Sequence, residues 1–279
     1  MADTQIELHV ETGEGEIKAV NLLAQYCSLS RGQMKKSMKN GALWLERKGR
    51  VQRLRRADRV LVPGDVLHFY YDARIQQQTP AEAALIADEG DYSVWFKPPG
   101  MYSQGSKWGD HCSLPRWAEQ HLSPQRNAFI VHRLDRAASG LMLLAHSKQA
   151  ARHLSTLFQQ RQVEKHYHVW VEGKFPEQQR HLDQPLDDRP AVSHATALSY
   201  DAQKDQSLLQ VVIETGRKHQ IRRHLAIVGF PVVGDRLYGS RETNQDLQLQ
   251  AVYLAFVLEP NGERKEYFLP WRLSGYGGS

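Results

Sequence analysis

The clearest alternation of hydrophobic and polar positions lies in the second half of the chain. Over residues 163–171, Val163, Tyr167, Val169 and Val171 share one face at period two, and His166, His168 and Trp170 share the other. That predicts a strand with one face in a core. The preceding residues 149–162 place Ala150, Leu154, Leu157 and Phe158 on one side at helical spacing, with Arg152, Gln159 and Arg161 opposite. Residues 141–145 are unbroken apolar, the mark of a strand buried on both faces, and 128–131 read as a short strand before them. Further strands are predicted at 92–96, 195–200, 208–214 and 252–258, with 267–271 closing the fold.

The first part of the chain has its own pattern. Residues 17–26 and 31–39 read as helices, the second capped by Ser28 or Ser30 and ended by Asn40-Gly41. Strands follow at 42–45, at 59–62 and, after the turn Pro63-Gly64-Asp65, at 66–71. Residues 73–80, with three glutamines in a row, read as a linker, and 101–113 lack periodicity and read as a surface loop. The expected organisation is a small module over 1–75, a linker over 76–84 and a large domain over 85–279.

Composition changes this picture in one place. The 279 residues are 41% hydrophobic and 24% charged, values of an ordinary soluble protein. No run approaches the length of an apolar membrane span, and the polar, acidic residues 1–5 do not read as a signal peptide. Cys27 and Cys112 have no metal-ligand spacing, which suggests a reducing, cytoplasmic setting. The 13 histidines fall in no zinc-type spacing with Cys or Glu, so no metal is expected. The net charge of +5 is uneven: between residues 31 and 59, eleven Lys or Arg stand against Glu46 and Asp58. That density attracts a polyanion, and Arg31, Lys35 and Lys39 recur at i+4 steps along one face of a predicted helix.

Two polar stretches carry candidate chemistry. Residues 132–140 set an imidazole, two guanidiniums and the Asp135 carboxylate on a loop between two predicted core strands, where a reactive group is rigidly placed. Residues 215–225 follow a strand, and helical spacing would align Lys218 with Arg222 and His219 with Arg223, with Ile221 and Leu225 inward. Cations in a first helical turn oppose the helix dipole, which argues for a ligand or a buried partner.

His132-Arg133-Leu134-Asp135 with Ser139-Gly140, Lys165-His166-Tyr167, and the run from Thr215 to Arg222 resemble, in order, the three motifs of the RluA-type RNA pseudouridine synthases. Lys97-Pro98-Pro99-Gly100 before them and Gly234-Asp235 after them match too, so the resemblance spans residues 85–279. Ala138 stands where that family usually has threonine, a change expected to alter loop support and not chemistry. Leu29-Ser30-Arg31, Gly41-Ala42-Leu43-Trp44-Leu45 and Pro63-Gly64-Asp65-Val66 resemble the αL RNA-binding module of a small-subunit ribosomal protein. Glu46-Arg47-Lys48-Gly49 replaces the usual valine-asparagine-glycine turn there.

The resemblance implies an α+β fold: a mixed, largely antiparallel sheet flanked by helices, with a small α/β RNA-binding domain at the N-terminus. It implies isomerisation of a uridine in ribosomal or transfer RNA to its carbon-linked isomer, by a monomer that needs no cofactor. Asp135 would be the nucleophile or base, Arg222 its ion partner, and Tyr167 the ring stacked on uracil, its part in proton transfer left open. Arg133 would fill the gap left by a flipped nucleotide. Arg136, Arg217, Lys218 and His219 would contact RNA with the module's Arg31, Lys35 and Lys39, while His132, Ser139, Gly140 and Gly216 would support the site. By residue chemistry alone, Tyr167 could be a core tyrosine, and Arg217, Lys218 and Arg223 phosphate contacts only. An RNA-binding protein without activity and a carboxylate-dependent nucleoside hydrolase stay as alternatives. The hydrolase needs a second carboxylate beside Asp135.

Overall fold

The computed structural model describes residues 5–240, 244–259, 261–270 and 273. The chain forms two units, Met1–Ala81 with Gln104–Gln120, and Glu82–Ser103 with His121–Ser279. The first unit opens with β1 (Gln5–Glu11), β2 (Ile17–Lys18), α1 (Ala19–Tyr26) and α2 (Arg31–Lys39). β3 (Leu43–Arg47), β4 (Arg50–Arg53), β5 (Val60–Leu61), β6 (Val66–Asp72) and the short α3 (Ala73–Gln76) follow. An antiparallel sheet of order β1-β6-β3-β4 shares one core with the helices, through Leu23, Met34, Met38, Leu43, Leu61 and Phe69.

Ser30, not Ser28, caps α2. Its side chain accepts from the Gln33 amide while the Gln33 side chain accepts from the Ser30 amide, a reciprocal capping box. Arg31, Lys35 and Lys39 are exposed on this helix, while Met34 and Met38 are buried. The basic stretch is less free than its composition suggests. Arg47 makes two bonds to buried Asp65, and Arg53 and Arg55 both reach Asp110, at 3.2 and 2.5 Å.

Asp110 explains why residues 104–120, expected in the large domain, belong to the first unit. Its amide donates to Asn40, the Trp44 indole donates to the Lys107 carbonyl, and Gln76 donates to the Trp108 carbonyl. Gly41 makes room for this. Its φ is +86°, and a Cβ there would lie 2.5 Å from the Asp110 carboxylate. The unit division falls at residue 81, within the predicted linker.

The second unit begins with β7 (Ala84–Asp88) and β8 (Tyr92–Lys97). After α4 (Leu114–His121), it continues through β9 (Phe129–Ile130), β10 (Ser139–Ala145), α5 (Lys148–Gln159) and β11 (Glu164–Glu172). β12 (Arg180–Leu182), β13 (Ser193–Asp201), β14 (Gln206–Ile213), α6 (Gln220–Ile227), β15 (Leu249–Val257) and β16 (Arg264–Phe268) complete it. The sheet runs β12-β13-β14-β11-β15-β10-β8-β7, with β16 beside β15 and β9 beside β10. Every pairing is antiparallel except β10 with β15. The sheet is thus mixed and largely antiparallel, as expected. Leu154 and Leu157 of α5 join Val94, Leu141, Leu143, Leu254 and Phe256 in one core. The last predicted strand ends at Phe268, and Trp271 lies outside the described residues.

Candidate active site

Asp135 lies on the loop between β9 and β10, and residues 97–103 fix that loop by its backbone. Lys97 is fully buried at the end of β8. Its Nζ has four carbonyls in reach: Pro98 at 3.0 Å, Met101 at 3.0 Å, Arg136 at 3.3 Å and Ala138 at 2.6 Å. Burial lowers its pKa to about 7, and the nearby Asp135 opposes that shift. Four acceptors that cannot donate favour the ammonium in addition. The Ser103 hydroxyl donates to the Leu134 carbonyl at 2.6 Å and accepts from the Leu134 amide. Ala138 therefore supports the loop through its carbonyl, which Lys97 holds. At the loop's end, Gly140 has φ +116°, and a Cβ there would lie 2.3 Å from the Ala251 carbonyl. Only glycine lets β10 approach β15 in that way. Ser139 accepts from Gln250 at 3.2 Å.

His132 anchors the start of the loop. Its Nε2 accepts from the Leu143 amide at 2.9 Å, and its ring stacks on Phe158 at 4.4 Å. Burial, with a smaller push from Lys165, lowers its pKa to about 3, so the imidazole is neutral at physiological pH. Because the unfolded chain takes up this proton near pH 6.5 and the folded chain does not, stability falls on acidification below that value. Between pH 7.5 and 5.0 the contribution amounts to up to about 2 kcal/mol. The Gln variant of His132, which keeps an acceptor, should lose that much less stability over the same interval in denaturant titrations. Equal losses in both proteins would show that His132 does not titrate this way.

Arg222, on α6, ties the constellation together. Its Nη1 donates to Asp135 Oδ2 at 3.0 Å, while Nε and Nη2 grip both oxygens of Asp235 at 2.7 and 2.8 Å. The Asp235 side chain is wholly buried, and it also accepts from the Leu237 and Tyr238 amides. Burial would raise its pKa, but Arg222 and these amides outweigh it and hold the carboxyl below its usual range. Asp235 is thus the second carboxylate near Asp135, yet its oxygens are consumed and do not face a substrate. Asp135 is different. Its side chain is 21% exposed, and the His219 Nε2 lies 3.7 Å from its Oδ1.

A cleft of about 730 Å³ opens beside this carboxylate, lined by Asp135, Arg133, Lys165, Tyr167, Arg217 and His219 among others. Tyr167 and Lys165 come from the inward row of β11, as period two predicts. Burial, and secondarily Asp135, raises the Tyr167 pKa, so its hydroxyl stays a phenol. Arg133 is exposed at the cleft, and Lys218 is exposed on its wall.

The structure changes the expected helix start and gives several of these side chains partners within the chain. α6 starts at Gln220, so Lys218 and His219 precede the helix and the predicted i+4 alignments do not form. The cause is local: His219 takes a left-handed φ of 54°. The Gln220 side chain meanwhile binds the Thr215 hydroxyl, the Arg217 amide and the Val192 carbonyl. His219 turns toward Asp135 and the Tyr238 hydroxyl and not toward solvent. Arg217 donates to the Pro190 carbonyl, Arg223 pairs with Asp187, and Arg136 donates to Gly100 while lying 4.5 Å over the Tyr102 ring. Gly216 gives no packing support, since a Cβ there would meet nothing within 4 Å. Lys97, Ser103, Asp235 and Gln220 were not predicted in these roles. Lys97, Asp235 and Gln220 stand in the motifs of the sequence, and Ser103 does not.

Among the described residues, no group of three or more His, Cys, Asp or Glu is arranged to hold a metal, and no helix is long and apolar enough to cross a membrane. A family model described as RNA pseudouridylate synthase matches residues 91–227. An RNA pseudouridine synthase of Chloroflexus aurantiacus is 33% identical over 267 residues, 87% of this chain and 82% of that protein. The dual-specificity RNA pseudouridine synthase RluA of Vibrio parahaemolyticus is 29% identical over 197 residues, 62% of this chain and 77% of its own. The solved human RNA pseudouridylate synthase domain containing 1 shares the fold, with a TM-score of 0.58 at 22% identity over 69% of this chain and 86% of that one. The matched segment carries the Asp135 loop, the Tyr167 strand and Arg222, and the chain belongs to the RNA pseudouridine synthase family, isomerases that act on uridine in RNA.

Proposed function

We propose that the cleft isomerises a uridine flipped out of a structured ribosomal or transfer RNA, with Asp135 as the nucleophile or base at the ribose. One observation carries this reading: Arg222 fixes one oxygen of Asp135, and Asp135 lines the cleft. A buried guanidinium in fixed geometry pairs with that carboxylate and orients it. Tyr167 stacks on the uracil, and as a phenol it is a better hydrogen-bond donor than base. Arg133, exposed at the cleft, fills the space that the flipped nucleotide leaves. Lys218 and Arg133 meet phosphates, and Arg217 is held by the Pro190 carbonyl of the β12–β13 loop. The protein works as a monomer in the cytoplasm and needs no cofactor. The test is to incubate the purified protein with unmodified transfer and ribosomal RNA transcripts and map pseudouridine at single-nucleotide resolution. Conversion at one or a few uridines is expected, and none in either class of RNA contradicts the reading.

The first unit, in this reading, is an RNA-binding module that acts through α2. Replacing Arg31, Lys35 and Lys39 together by Gln should raise the RNA dissociation constant about tenfold or more and lower the salt slope by about two to three. Turnover at saturating RNA should be kept. Removing residues 1–75 outright is a poorer test, because residues 104–120 pack within this unit and would lose their partners. An unchanged salt slope in the triple variant would remove α2 from the RNA interface.

A further inference from the structure

Lys165 is a buried cation that no anion among the described residues neutralises. It stands on β11 two residues before Tyr167, on the same inward row, and is 8% exposed. Among the described residues of this unit, the other two buried Lys or Arg side chains are satisfied, Lys97 by carbonyls and Arg222 by two carboxylates. Among the described residues, no hydrogen bond or ion pair joins the Lys165 ammonium. It lies 5.8 Å from the Phe158 ring centroid, at the limit of a cation–π contact. Burial, followed by the repulsion of Arg161, lowers its pKa. An unpaired buried ammonium costs several kcal/mol, a cost that is relieved when a ligand supplies the negative charge.

The reaction offers two such charges, the RNA phosphates and the uracil. Arg133, Arg161 and Lys218, exposed around the cleft, suit phosphates. A buried ammonium that shares the inward row of β11 and the cleft with Tyr167 suits the base. We infer that Lys165 hydrogen-bonds a carbonyl oxygen of the uracil and stabilises the negative charge which the base acquires as its glycosidic bond breaks. The inference rests on the isomerase reading of the cleft. When the C1′–N1 bond breaks, its electron pair stays on uracil as an anion spread over N1, O2 and O4, and Asp135 meets the electron-poor ribose. After the base turns, the same pair forms the C1′–C5 bond, and the proton of C5 is transferred to N1. No atom is gained or lost, and Lys165 keeps its proton throughout. Its bond to oxygen strengthens as charge develops, which is the condition for acceleration and not merely for binding.

Lys165→Met keeps the apolar stem and removes the charge. The single-turnover rate should fall about 100-fold or more, with the RNA dissociation constant within about threefold and the melting temperature at or above that of the wild type. With 5-fluorouridine at the target position, the fluorine stabilises the departing base, so the deficit in bond breaking should shrink to about tenfold or less. Lys165→Arg, which restores a cation, should recover part of the lost rate. A weakened affinity and a salt slope lower by about one, at an unchanged rate, would place Lys165 on a phosphate and overturn the inference. Equal deficits on both substrates, or a lowered melting temperature that Lys165→Arg does not restore, would do the same. If the wild type isomerises no uridine, the functional reading fails with it. If the wild type is active and Lys165→Met matches it, only the role of Lys165 falls.

Discussion

Asp135→Asn is expected to leave no measurable isomerisation, a fall of at least about 10⁴-fold, with RNA affinity within about threefold of wild type. The amide keeps the size of the side chain and an oxygen for Arg222 Nη1, which donates to Asp135 at 3.0 Å. The loop is held by Lys97 and Ser103 through its backbone, so its fold does not depend on this carboxylate. Arg222 retains both bonds to Asp235, and the stability change should stay within about 1 kcal/mol. What disappears is the negative charge and the oxygen proposed to meet the ribose. Affinity comes from Lys and Arg contacts to phosphates, and the loss of one anion from the cleft slightly favours them. Activity within tenfold of wild type would make Asp135 a structural residue.

Arg222→Ala is expected to damage both activity and folding, and for separable reasons. The change strands Asp235, whose side chain is fully buried, as an uncompensated charge, at a cost of about 3–5 kcal/mol. Asp135, partly exposed, suffers less in stability but loses the cation that pairs with it and orients it. The double variant Arg222→Ala with Asp235→Asn removes the stranded charge and should recover most of the stability while remaining inactive. Chemical denaturation of the four proteins of this cycle gives the coupling energy. Full activity in the double variant would show that Arg222 acts only as the counter-ion of Asp235.

The elements that were legible in the sequence are those whose signal is local. The capping box at Ser30 and Gln33, the alternation along β11 and the apolar run of β10 each carry their own cause. β1 was legible too, since Ile6, Leu8 and Val10 alternate along it, yet it was not predicted. The motifs led to Asp135, Tyr167 and Arg222, and the fold brings Asp135 and Tyr167 to one cleft, with Arg222 bonded to Asp135. What stayed hidden depends on contacts distant in sequence. Nothing in the composition of residues 104–120 says that Asp110 meets Arg53 and Arg55, 55 or more positions away. Lys97 reads as a turn residue until Ala138 arrives to accept from it, 41 positions on. The start of α6 was misplaced because the Gln220 side chain, not a periodic pattern, organises residues 215–220.

The most direct test of the central claim is pseudouridine mapping across total RNA from three strains: one with the wild-type protein, one without it, and one carrying Asp135→Asn at matched abundance. The account predicts at least one pseudouridine that is present only with the wild-type protein. Retention of every pseudouridine in the strain without the protein, or restoration of the missing ones by Asp135→Asn, would contradict it.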